Sequence, residues 1–302
     1  MSQSRTGRTV RTYFWTDVVV LKMATERNRI LAVIDPTRGD QWALQKAISI
    51  AKDRNDFTVC AFLCVNSNVD CDDPERLRSV ELRRHEIWLE KIITELPDAG
   101  ISIEPVVVWS DDWPQAVCLA ANNDDDDLVI KMASGRQKSL ASSDRQLIRT
   151  LQCALLLIKH DPADELQKIL VAVDFNAMDE SHVALNDAIM ALGNRIRGAR
   201  KDKALHSISA YPSSDKFVHP ADVAKILGID RSHAQVHYGD AADVIPQAAN
   251  KIQADLVIIG NVGRRGLSGI TIGNTAEKIL ADIDSDVLVL VRERERELSV
   301  AI

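Results

Sequence analysis

Ile30-Leu31-Ala32-Val33-Ile34-Asp35 returns as Ile169-Leu170-Val171-Ala172-Val173-Asp174, and that recurrence decides how the chain is read. An apolar run this short, closed by an acid, suits a strand buried on both faces better than a helix. Two further runs repeat in the same order: Asp127-Leu128-Val129-Ile130 as Asp255-Leu256-Val257-Ile258, and 154–159 as 287–292. The offsets are 139, 128 and 133 residues, so the chain is one structural unit written twice.

Outward from these runs, apolar β-rich segments alternate with amphipathic ones. In the first copy, strands are expected at 29–35, 57–65, 102–109, 127–133 and 154–159, with helices at 42–52, 74–96, 114–122 and 144–151. In the second copy, strands are expected near 169–175, 203–211, 233–238, 255–260 and 286–292, with helices near 179–197, 221–228, 241–253 and 274–283. Alternation of this kind predicts a parallel sheet with right-handed crossovers. The fold class is therefore α/β, as two tandem doubly wound five-stranded domains. The expected boundaries are 29–160 and 166–292, joined by the short linker Asp161-Pro162-Ala163-Asp164-Glu165. Residues 1–28 read as a disordered extension, or as the product of a start placed ahead of Met23, and 293–302 as a frayed charged tail. A targeting peptide fits 1–28 poorly, because Asp17 interrupts an apolar patch that is already too short.

Bulk properties exclude several classes. Aromatic residues make up only 4% of the chain and the net charge is −7, which argues against a base-stacking platform or a basic groove for nucleic acid. No apolar run approaches the ~18 residues needed to cross a bilayer. The five cysteines, Cys60, Cys64, Cys71, Cys118 and Cys153, are odd in number and lack CxxC spacing, which points to a reducing cytoplasm. The histidines show neither metal spacing nor a catalytic constellation with Ser, Cys or Asp, and no catalytic or metal-binding residue is assigned. Asp124-Asp125-Asp126-Asp127 reads as a solvated loop, since consecutive side chains point apart.

In an open α/β sheet, ligands bind beyond the carboxyl ends of the strands where the strand order reverses. Two features of the second copy fall there. One is Asp174. The other is the segment 260–277, with Gly260, Gly263, Gly266, Gly269 and Gly273 ahead of Asn274 and Thr275. Glycines let backbone approach a ligand, and amides leading into a helix N-terminus favour an anion. There is no GxxxxGK[ST], so a Walker loop is excluded. For Asp174 the bland reading is a turn cap, which the presence of Asp35 in the other copy supports.

The spacing Gly260-x2-Gly263-x9-Gly273 followed by a polar residue resembles the G-x2-G-x9-G-[ST] signature of the universal stress protein (UspA-type) family. Ile34-Asp35-Pro36, Val107-Val108-Trp109, Ala210-Tyr211-Pro212 and 273–277 are most similar to its E-type tandem members. The resemblance implies an adenine-nucleotide alpha-hydrolase-like fold, a cytoplasmic protein and a non-enzymatic role in stress resistance, including resistance to DNA-damaging agents. It implies ATP, or another small anionic ligand, in the second domain only. Asp174 would then contact the nucleoside, and Gly260, Gly263, Gly273, Asn274 and Thr275 would hold the phosphates. Asn274 departs from the family's Ser or Thr at that place. The fifth strands would pair to give an intramolecular pseudo-dimer, with a homodimer as the other arrangement. Two alternatives stay open: slow ATP hydrolysis or autophosphorylation, with Asp240 and Glu277 as candidates by position, and a non-nucleotide ligand in the same cleft.

The first copy has lost the pattern. Lys131-Met132 replaces Ile259-Gly260, only Gly135 stands opposite Gly263, the loop is five residues shorter, and Asp111 aligns with Gly239. Lys131 is read as a plug of the former cleft, and a buried, charge-paired lysine is the other reading. No nucleotide is expected in this half.

Overall fold

Apolar segments bounded by polar turns can satisfy their backbone groups and keep both faces dry at the centre of a parallel sheet covered by helices. The computed structural model describes residues 11–12, 28–52, 57–66, 72–97, 99–124, 126–134, 140–162, 165–198, 203–261, 264–266, 269–271 and 274–291. The first half contains β1 (Arg11–Thr12), β2 (Asn28–Ile34), α1 (Trp42–Lys52), β3 (Phe57–Val65), α2 (Pro74–Glu95), β4 (Ser102–Trp109), α3 (Trp113–Asn123), β5 (Leu128–Met132), α4 (Ser142–Thr150) and β6 (Ala154–Ile158). The second contains β7 (Lys168–Ala172), α5 (Glu180–Arg197), β8 (Ala204–Tyr211), α6 (Pro220–Leu227), β9 (Ala234–Tyr238), α7 (Ala241–Ile252), β10 (Leu256–Asn261), β11 (Arg264–Gly266), β12 (Gly269–Thr271), α8 (Asn274–Asp282) and β13 (Asp286–Val291).

Eleven strands form one sheet in the order β1-β4-β3-β2-β5-β6-β13-β10-β7-β8-β9. Each half is doubly wound, and its order reverses between its first and fourth strands, β2/β5 and β7/β10. The two expected five-stranded sheets are thus continuous, joined where β6 and β13 run antiparallel with Leu157 opposite Val287, Leu156 opposite Leu288 and Leu155 opposite Val289. Every other pairing in this sheet is parallel. Within the stretch expected to be an extension, Arg11 and Thr12 pair with Val106 and Val107 on the outer edge of β4.

Helices cover both faces. One apolar cluster packs α1, α2, α5 and α6 on one side, and a second packs α3, α4, α7 and α8 on the other, each running across both halves. At the bottom of the sheet, the aspartates preceding β5 and β10 do the same work. Asp127 Oδ2 accepts from Arg29 N at 2.9 Å, and Asp255 Oδ2 accepts from Lys168 N at 2.7 Å, which anchors the first strand of each half to the fourth.

Two alignments need correction. Leu128 pairs with Ala154 and Leu256 with Asp286, so the last strands are offset by 132 residues and the first half's loop is four residues shorter than the second's. Gly239 N donates to Tyr211 O and Ser110 N to Val65 O, so Ser110 stands opposite Gly239 and Asp111 is the extra residue in the first half's turn. Gly239 has φ 137°, a conformation open to glycine, and two residues link β9 to α7 where the first half uses three between β4 and α3.

Candidate functional site

At the carboxyl end of the first strand, both halves build the same turn. Asp174 Oδ1 accepts from Asn176 N at 2.9 Å, while the Asn186 amide brackets the Asp174 backbone, accepting from its N–H at 3.2 Å and donating to its C=O at 2.6 Å. Asp35 Oδ1 accepts from Thr37 N at 3.0 Å, and the Gln41 amide brackets Asp35 in the same way at 3.1 and 2.8 Å. The shared carboxylate is therefore a turn-former in both places. The halves differ in what remains. Asp35 also accepts from Thr37 Oγ1 at 2.6 Å and pairs with Arg38 Nε at 3.3 Å. Asp174 is exposed, and the Asn176 Nδ2 is buried with no hydrogen-bond partner among the described residues. The sequence reading did not single out Asn176, which is among the residues that line the cleft described next.

Gly260 is the last residue but one of β10, at the switch point. A Cβ there would lie 2.5 Å from Leu185 Cδ2 and 3.1 Å from Ile189 Cδ1, so close packing of α5 on the sheet accounts for this glycine without a ligand. Gly263 and Gly273 lie outside the described residues, as does Gly135. Asn274 and Thr275 open α8, and their side chains fall outside the description. The loop also contains a short antiparallel hairpin, β11–β12, pairing Arg264 with Thr271, which the glycine spacing did not suggest.

These elements frame an open cleft of about 820 Å³ over the ends of β7–β10, within the usual size of a small-molecule site. Ile259, Ala241 and Ala276 form part of its wall. Strand pairing places Lys131 opposite Ile259, and the equivalent starts of α3 and α7, and of α4 and α8, place Trp113 opposite Ala241 and Asp144 opposite Ala276. In the first half these three residues meet. Lys131 Nζ pairs with Asp144 Oδ1 at 2.8 Å, donates to Met132 O at 2.6 Å and to Ser134 Oγ, and lies 5.3 Å from the Trp113 ring centre. Asp144 Oδ2 accepts from Ser134 N at 3.0 Å. Lys131 is 5% exposed and Asp144 0%. Burial pulls the Lys131 ammonium below its usual range, and the Asp144 carboxylate opposes that pull. The plug is thus a buried ion pair under an indole, which unites the two readings of Lys131. The separate cavity beneath α3, of about 70 Å³, sits at the opposite end of the sheet by Arg29 and Asp124.

The other sequence candidates have structural partners. Asp240 caps α7 by accepting from Ala242 N at 2.9 Å, and Glu277 pairs with Arg145 at 3.6 Å and with Arg149. The acidic run is not simply a solvated loop: Asp124, Asp126 and Asp127 all converge on Arg29. Cys60 and Cys118 are buried, Cys64 and Cys153 half-buried, and burial pushes the Cys64 and Cys118 thiols up to about 12. The His206 and His233 rings lie against each other, tilted by 40° with centres 4.1 Å apart. Among the described residues, no cluster of three or more His, Cys, Asp or Glu is placed to hold a metal, and no helix is long and apolar enough to cross a membrane.

The profile of the universal stress protein family matches residues 26–159 and again 165–292. Universal stress protein E of Escherichia coli K12 is 27% identical over 306 residues, covering 89% of this chain and 95% of its own. The protein of that name from Photorhabdus laumondii is 26% identical, covering 89% and 96%. Among solved structures, a functionally unknown protein from Pseudomonas aeruginosa PAO1 is similar with a TM-score of 0.69 at 28% identity, over 88% of this chain and 93% of that one. A universal stress protein from Archaeoglobus fulgidus shares the fold, with a TM-score of 0.63 at 17% identity over 89% and 98%.

Proposed function

The chain belongs to the universal stress protein family, and from that premise we propose a non-enzymatic stress-resistance protein that binds a nucleotide or similar small ligand in its second half only. The observation that carries this reading is the contrast at three equivalent positions. Where the second half has Ile259, Ala241 and Ala276 around a cleft, the first has Lys131, Trp113 and Asp144 in contact. A cleft at the switch point of a doubly wound sheet is the place where such folds take ligands. A general base would have to be free to move a proton. Asp240 and Glu277, the candidates by position, are engaged as a helix cap and in an ion-pair network.

The test is equilibrium binding of labelled ATP to the full chain, beside a variant that carries the first half's ion pair in the second, Ile259→Lys with Ala276→Asp. Saturable binding to the natural chain that is lost in the variant is the expected result. No saturable binding up to millimolar ATP, or equal binding by both proteins, overturns the reading. Single-turnover assays on the ATP-bound chain are expected to yield no ADP and no phosphoprotein.

A further inference from the structure

The eleven-stranded sheet has two ends, and the chain treats them differently. Counting back from the equivalent Ser110 and Gly239, residues Pro105, Val107 and Trp109 of β4 match Ala234, Val236 and Tyr238 of β9. Ser110 N donates to Val65 O and Gly239 N to Tyr211 O. Backbone groups alternate in direction along a strand, so these three residues of each strand turn theirs away from the sheet. On β4 that outer row is closed. Pro105 has no N–H to offer, and Val107 stands opposite Thr12 of β1. On β9 it is open. Ala234 has its own groups engaged, the N–H on Arg231 O and the C=O with the Arg231 guanidinium at 3.4 Å. Val236 and Tyr238 have no such partner among the described residues, which leaves two N–H and two C=O groups facing out.

The strand carries none of the devices that blunt an edge. Ala234-Gln235-Val236-His237-Tyr238 holds no proline, lysine or acid, and its pairing with β8 runs without a bulge. An exposed aromatic rim adjoins it. The Tyr211 ring lies edge-on to Tyr238, which is 70% exposed, and to Phe217, with centres 5.7 and 5.4 Å away. We infer that β9 is an interface between two copies of this chain, which pair antiparallel about His237 so that Val236 of each stands opposite Tyr238 of the other. In that register every outward group of Val236 and Tyr238 is bonded, by the same residues on both sides, as a two-fold contact requires. A register centred on Val236 would set Tyr238 against Ala234, whose N–H is already taken. Opposite residues share a face, so each Tyr238 ring meets a β-branched Val236 across the strands. The chain joins its own halves in the same manner, through the antiparallel pair β6–β13. A second copy's Arg11 and Thr12 are not the occupant, because they are engaged at its β4. The interface is small, so the dimer is weak and forms reversibly.

Sedimentation equilibrium of the full chain is expected to show monomer and dimer exchanging as the concentration rises from micromolar to millimolar. Tyr238→Pro removes one outward donor from each copy and spares the ladder with β8, as Pro105 does in β4. Tyr238→Lys keeps the donor and adds a charge to the edge. Each is expected to raise the dissociation constant by at least about tenfold. Tyr238→Lys, at an exposed position, is expected to leave the thermal midpoint of the dilute protein unchanged, and it decides the matter if the proline variant folds poorly. Cross-linking fixes the register. Under mild oxidation His237→Cys is expected to give a disulfide-linked dimer, since a non-hydrogen-bonded antiparallel pair brings its Cα atoms to about 4.5 Å. Gln235→Cys and the natural chain are expected to cross-link far more slowly. A chain that stays monomeric at millimolar concentration overturns the inference. So does a dimer that Tyr238→Lys leaves intact, or cross-linking no faster at 237 than at 235.

Discussion

The two halves superpose strand for strand in order and register, yet at equivalent points one is filled and the other hollow. In the first, Lys131, Asp144 and Trp113 meet behind β5. In the second, Ile259, Ala276 and Ala241 leave a cleft of about 820 Å³. The difference shows that one frame of strands and helices can hold either a packed polar cluster or an open cleft at the same place. Filling such a cleft with apolar bulk needs a set of interlocking shapes. A lysine needs only a carboxylate at the right distance, a carbonyl and a hydroxyl. That solution is fragile in a specific way, because each charge is tolerable only while the other is present.

The sharpest way to break the comparison is to remove one member of the pair. Lys131→Ala or Asp144→Ala alone should destabilise the chain by about 3–5 kcal/mol, since each leaves a buried charge uncompensated. Lys131→Ile with Asp144→Ala, which installs the second half's residues, should recover at least half of that loss. Urea unfolding of the three variants checks it, and additive losses in the double variant would mean the pair is not coupled.

Gly260 gives a mid-sized test. Gly260→Ala should cost about 1–3 kcal/mol, because its Cβ meets Leu185. In that background Leu185→Ala should cost less than it does in the natural chain. At the equivalent position of the first half the requirement inverts: Met132 is buried, and Met132→Ala should leave a void and cost about 2–5 kcal/mol.

The smallest effect concerns acid. His206 occupies the register position that Cys60 holds in the first half. Burial and the neighbouring His233 bring the His206 imidazole down to about 4. The unfolded chain therefore takes up this proton first as pH falls below about 6.5, and stability declines between there and about 4. His206→Cys, which copies the first half, should flatten that part of the profile relative to the natural chain, as read by denaturant midpoints at pH 7 and pH 4.5. An unchanged slope would place the acid sensitivity elsewhere.

Much of this was readable in the sequence, for a physical reason. Strands buried on both faces leave uninterrupted apolar runs, so the strands of each half stood within a residue or two of where the periodicity put them, except that β7 ends at Ala172 and not at 175. The pairing of β6 with β13 came from the family resemblance, not from the apolar pattern. The site was less legible because its determinants are coincidences in space. Lys131 looked like a plug, but its partners come from residues 113 and 144 on two other elements. Gly260 carried a ligand-loop signature, while the atoms that demand it belong to Leu185, on a different helix. Asn176 gave no signal at all: that its amide nitrogen is buried away from any acceptor among the described residues is a matter of packing, which no string of letters displays. Asp124 and Asp126 looked idle because Arg29, which gathers them, lies a full sheet crossing away in the chain.

The antiparallel seam carries a consequence for how the molecule is made. All five residues of β6, Ala154–Ile158, are buried in the finished fold, and one edge of that strand waits for β13, which begins only at Asp286. At the usual pace of synthesis the interval is on the order of ten seconds. Throughout it, a nascent first half would display a bare, wholly apolar strand edge of the kind that pairs with any similar edge nearby. Two such nascent chains on one messenger would offer each other the strand that each later finds within itself. The distance between duplicated units is therefore also a window of vulnerability. A cut between residues 158 and 286 that lets the halves part would reopen it in the mature protein.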